Sequence, residues 1–216
     1  MEILECLAIA LYSNNKADEM EQYSLEVRSD PKADQVEAAI RTRKDDIIRA
    51  IEELENLAGS GSVVAKLVLG DLYLYGWFDA PIDREKGEAL LLEAKDLGSI
   101  EAAFRLACYY QKYVRNNEAI AVFEELADRS YSPAIYRLGL MYQEGLLAEM
   151  NPQESKRHLE KAAKLGHIPA LKSLARMNAT SLNPISFLIG LCQYLGSIVP
   201  HFRQLRTDRL SDNLRE

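Results

Sequence analysis

Ala65-Lys66-Leu67-Val68-Leu69-Gly70-Asp71-Leu72-Tyr73-Leu74-Tyr75-Gly76 decides the fold, because its skeleton returns along the chain. Ala102 leads to Leu106-Ala107 and Tyr110, Ala134 to Leu138-Gly139, Tyr142 and Gly145, and Ala170 to Leu174-Ala175. Successive alanines stand 37, 32 and 36 residues apart, a period that signals an array of helical repeats. Within each unit the skeleton occupies positions 0, 4, 5 and 8, which share one side of a helix. Small residues at positions 0 and 5 let a second helix approach closely, while leucine and tyrosine fill the space beside them.

That second helix is legible as Arg84 to Leu97, Asn117 to Asp128 and Gln153 to Leu165, each with its own apolar face. Two of these segments finish alike, as Ala94-Lys95-Asp96-Leu97-Gly98 and Ala162-Ala163-Lys164-Leu165-Gly166, where glycine can adopt the left-handed conformation that closes a helix. The pattern Ala134-x-Tyr136-x-Leu138-Gly139-x-x-Tyr142-x-x-Gly145, with the closing Lys161-Ala162-Ala163-x-x-Gly166, resembles the Sel-one-like repeat, a relative of the tetratricopeptide repeat. Ala65 to Gly98 matches the same signature, including Asp83 and Lys86. Ala102 to Ser130 is a degenerate copy that keeps Phe104, Leu106 and Tyr110 but has Tyr113 where the turn glycine belongs, and its loop is shorter. The resemblance implies an all-α fold, a short α-solenoid of antiparallel helix pairs. It also implies a protein-binding superhelix with no fixed ligand or catalytic residue.

The chain has 216 residues and a net charge of −7, with 48% hydrophobic and 27% charged residues, as expected of a globular chain rather than a disordered one. An acidic balance argues against general nucleic-acid binding, which needs a surplus of Lys and Arg. The excess carboxylates are read as a solvated helical surface. Cys6, Cys108 and Cys192 are odd in number and far apart, so they form neither a disulfide framework nor a metal motif, and they suit a reducing, cytoplasmic setting. The sequence contains no phosphate-binding glycine loop, nucleophile elbow or paired-histidine motif. His158, His167 and His201 are scattered and are read as structural or solvated, and the pair Glu124-Glu125 as surface charge. Neither a cofactor nor a metal is expected, and an enzyme is not.

Residues 1–60 are expected to form N-terminal helices and a divergent capping repeat, 61–177 the repeats, and 178–216 an apolar capping helix with a basic tail. Met1 to Tyr12 has acidic residues where a signal peptide is basic, and is read as an amphipathic helix. Ala17 to Val27 has helical spacing, Asp30-Pro31 starts a helix over Ala33 to Thr42, and Asp45 to Ala58 places Ile47, Ile48, Ile51, Leu54 and Leu57 on one face. Ile185 to Val199 is apolar but falls short of the roughly twenty residues that span a bilayer. It is read as the helix that covers the stripe begun at Ala170; a membrane anchor and a partner-binding or self-association helix are the alternatives.

The function expected is a non-enzymatic scaffold that offers a concave helical wall to a partner protein. Asp71 and Tyr75, Gln111 and Lys112, and Gln143 and Glu144 stand beside the core stripe, where first helices would face such a partner. The plainer reading is that these six are ordinary polar surface. The alternative function is a membrane-associated assembly or regulatory factor tethered through 185–199, since bacterial proteins resembling this family accompany secretion, envelope or exopolysaccharide systems. The partner's identity and the oligomeric state stay open.

Overall fold

In the computed structural model, residues 26–42, 46–146, 150–179 and Cys192 are described. Among them every regular element is helical: α1 Ala33–Thr42, α2 Ile47–Gly59, α3 Val63–Tyr75, α4 Arg84–Asp96, α5 Ile100–Lys112, α6 Asn116–Asp128, α7 Ser132–Glu144, α8 Pro152–Lys164 and α9 Ile168–Ala179. Residues 26–29 add a helical turn, and Trp77–Asp79 forms a 3-10 turn after α3. The chain divides into two compact units, one ending at Arg129 and the other beginning at Ser130. In the first, α3 packs chiefly on α4 and α5 on α6, with α1–α2, α2–α3 and α4–α5 also in contact. In the second, α7 packs on α8 and α8 on α9. Helices thus pair with their sequence neighbours, as in a solenoid.

The helices start where side chains can accept from otherwise unsatisfied N–H groups. Ser62 Oγ accepts from the Ala65 N–H at 3.0 Å and Ser99 Oγ from the Ala102 N–H at 2.9 Å. The recurring alanine is therefore the third helical residue of its unit. Asp46, Asp83 and Asn151 cap α2, α4 and α8 in the same way.

The stripe expected from the spacing is buried in every unit: Ala65, Leu69 and Tyr73; Ala102, Leu106, Ala107 and Tyr110; Ala134 and Leu138; Ala170, Leu174 and Ala175. Gly70 shows why position 5 must be small, because an added Cβ would lie 2.7 Å from Leu91 Cγ and 3.2 Å from the Gly87 carbonyl oxygen on α4.

The second helices lie within a residue of their expected bounds. The degenerate repeat solves its turn without glycine. Gly76 and Gly145 end α3 and α7 at φ 66° and 71°, whereas Tyr113 after α5 stays at φ −100° and Val114 takes the left-handed conformation at φ 62°. Only residues 113–115 then separate α5 from α6.

Among the described residues no helix is long and apolar enough to cross a membrane. The readings of Met1 to Tyr12 and of the tail lie outside the described residues, as does that of Ile185 to Val199 apart from the exposed Cys192.

Candidate functional site

Asp71 is not polar surface: it is buried with Glu101 and Arg105, each no more than 3% exposed. Arg105 spans the two carboxylates, donating from Nη1 to Asp71 Oδ2 and, at 2.7 Å, from Nε to Glu101 Oε1. A charge this deep is tolerated only when paired and hydrogen-bonded. The guanidinium supplies that pairing between α3 and α5, while Asp71 Oδ1 accepts no hydrogen bond. Asp71 therefore joins two first helices and is not offered to a partner in this conformation.

Tyr75, Gln111 and Lys112 sit at the C-terminal ends of the same two helices. The Tyr75 ring stacks on Trp77, with centroids 4.8 Å apart, and meets Tyr109 edge-on at 6.5 Å. Tyr109 in turn lies 4.8 Å from Tyr113. Cations cover these rings: Lys112 Nζ is 4.6 Å from the Tyr75 centroid, and the Arg84 guanidinium carbon is 5.1 Å from that of Tyr113. Burial raises the Tyr75 hydroxyl far above its ordinary pKa, and nearby Cys108, Tyr113 and Tyr109 push it the same way. Gln111 is half-buried and Lys112 exposed. Trp77, Arg84 and Tyr113 belong to this cluster, with exposed Val114 next in the chain, and none of the four was expected as a site residue from the sequence; the cue was aromatic residues gathered just before and after the helix ends.

A second arrangement recurs on the first two repeats, built on the tyrosine at the same repeat position. Tyr73 donates to Glu55 Oε1 at 2.6 Å, and Lys86 bonds the same carboxylate and lies over the Tyr73 ring. One repeat later, Tyr110 donates to Glu88 Oε1 at 2.9 Å, and Arg115 reaches Glu88 Oε2 at 2.7 Å and covers the Tyr110 ring. The bond to Lys86, then that to Tyr73, lowers the Glu55 pKa, while burial and the bond to Glu88 push Tyr110 up to about 12. These tyrosine latches are chemically quiet. They tie α3 to α2 and α5 to α4.

Comparison with known proteins gives the repeat its name. The Sel1 repeat model matches residues 63–99, 100–123 and 132–167. The chain carries three Sel1 repeats. Among solved structures, a Sel1 repeat protein from Oxalobacter formigenes is 20% identical with a TM-score of 0.58, over 76% of this chain and 51% of that one. A protective antigen of uropathogenic Escherichia coli strains displaying an SLR fold is 18% identical with a TM-score of 0.58, over 70% of this chain and 33% of that one. Likeness at this identity concerns the fold. A rat protein, DAP3-binding cell death enhancer 1, is 29% identical over 112 residues, half of this chain but 22% of its own length.

In the third Sel1 repeat, Gln143 and Glu144 end α7 and are exposed. They lie in the second unit, beside Tyr142, which stacks on His158 at 5.3 Å. Burial, and then the Arg157 charge, lowers the His158 pKa. His167 stands just before α9, buried against Tyr136 with ring centroids 4.8 Å apart, and its Nδ1 has no hydrogen-bond partner. Burial, with a smaller push from Arg137, lowers its pKa to about 4, so it is a neutral packing group at neutral pH. Among the described residues no three His, Cys, Asp or Glu side chains are grouped to hold a metal ion.

Proposed function

We propose that the chain is a non-enzymatic interaction scaffold whose Sel1 repeats present the ends and inner sides of their first helices to a partner protein. One observation carries the reading. The C-terminal ends of α3 and α5 bring Tyr75 and Lys112, from two different repeats, into one aromatic and cationic surface with Trp77 and Tyr113. Aromatic rings are two-torsion anchors that cost little entropy to fix, and interface hot spots are enriched in them. Gln111 borders this surface, whereas Gln143 and Glu144 offer a separate polar contact on the second unit. A relative named for binding another protein is consistent with the reading. So is the general use of Sel1 repeats as protein-interaction scaffolds. Residues 61–177 are the array in this proposal, with 1–60 and 178–216 its flanks, in a cytoplasmic setting.

The test uses the full chain as bait for a saturable protein partner from its native extract. Gln111→Glu with Lys112→Glu is expected to reduce capture while the helical circular dichroism stays unchanged. The reading fails if capture is unaffected, or if the purified chain turns over a substrate and loses that activity when one polar residue is changed.

A further inference from the structure

Resting on that scaffold reading, we infer that the helix-end surface of the first two repeats takes an acidic protein segment carrying an apolar side chain. The pairing of charges points to the acidity. Around this surface Lys86 and Arg115 are engaged by carboxylates. Arg84 and Lys112 are exposed, lie against tyrosine rings, and form no ion pair among the described residues. Asp79 on the 3-10 turn bonds neither cation. Asp83 and Glu85 flank Arg84 in the chain without pairing with it, so both cations stay open to an incoming carboxylate on a chain of net charge −7. An incoming carboxylate would meet them without breaking an existing pair.

The shape points to the apolar anchor. Val114 is 79% exposed and Tyr113 38%, so apolar surface stands beside both cations. Phe78, Asp79 and Val114 hold left-handed backbone at φ 59°, 62° and 62°, a conformation that L-residues avoid. Such strain gathers at binding sites because neighbouring structure holds it in place. Here it keeps two exposed apolar side chains, Phe78 and Val114, on the turns that flank the rings. Rings and cations together also suit single-stranded nucleic acid. Two free cations neutralise too few phosphates to overcome the repulsion of an acidic chain, so the acidic peptide is favoured.

Trp77 is the single tryptophan and stacks within the cluster, so its emission reports occupancy directly. The full chain is titrated with a short glutamate-rich peptide bearing one phenylalanine, with lysine-rich and serine-rich counterparts, and with an oligothymidylate. The glutamate peptide is expected to shift Trp77 emission saturably, more weakly as salt rises. Arg84→Glu with Lys112→Glu is expected to weaken it about tenfold, the milder Arg84→Gln with Lys112→Gln less, and Arg84→Lys with Lys112→Arg to retain it. Equal response to the lysine peptide, tighter binding of the oligonucleotide, indifference to charge reversal, or no saturable shift would each overturn the inference. A chain that still captures its protein partner when these peptide results go against the inference keeps the scaffold reading and loses only this chemistry.

Discussion

His167 occupies the position before its first helix that Ser62 and Ser99 hold before α3 and α5, and it fills that position with a buried ring. Its pKa falls from 6.5 to about 4 because burial disfavours the imidazolium. The unfolded chain therefore takes up the proton first as pH falls. Stability is full above about pH 6.5, declines through the window down to pH 4, and by then has lost about 3 kcal/mol from this group. Urea unfolding at several pH values checks this, and His167→Asn should flatten the slope in that window; an unchanged slope would mean that other groups carry it. Asp71 shows how single residues escape a reading by pattern. Its place beside the stripe reads as polar surface, and the residue that buries it, Arg105, lies 34 positions away. Charge pairing across that separation has no local signature, whereas burial of Leu69 and Leu106 follows from spacing alone.

At the scale of the helix, the crossing of α3 and α4 depends on two glycines that face each other. A Cβ on Gly87 would lie 2.8 Å from Leu74 Cγ and 2.9 Å from the Gly70 carbonyl oxygen. Gly70→Ala gains about 1 kcal/mol of helix propensity but loses about 1 to 3 kcal/mol to overpacking. Contacts under 3 Å with a fully buried leucine favour the loss, so a net destabilisation of about 1 kcal/mol is expected in urea melts; a gain would show that the crossing is looser. Gly70 was legible as a small position, but Gly87 was not, since only the partner helix shows what it touches. The segment before α1 was equally hidden. Glu26 accepts from the N–H groups of Ile100 and Glu101 at 2.8 and 3.0 Å, and Asp30 accepts from Ser62 Oγ at 2.7 Å and the Val64 N–H at 3.0 Å. Asp30 reads locally as a helix start, and it also bonds Lys32 N–H at 2.8 Å, but its second duty lies more than thirty residues on. Two carboxylates thus stabilise the starts of successive repeat helices, where the helix dipole favours negative charge. Glu26→Ala should cost about 1 to 2 kcal/mol by chemical denaturation, and no loss would mean that water caps α5 as well.

For the whole molecule, the repeat pattern made the architecture legible because core packing is periodic and local. The proposed binding surface is neither. It is assembled from helix ends and turns of two repeats, and the turn that completes it, at Val114, lies where the repeat departs from its own pattern. In the proposed scaffold, residues 75–79 and 109–115 are where the partner sits. Amide hydrogen exchange of the full chain, free and with its captured protein partner, reads this out segment by segment. Slowed exchange is expected in both segments on binding, with the stripes of α3 and α5 already protected in the free chain. Protection appearing only elsewhere, with 75–79 and 109–115 unchanged, would contradict this placement.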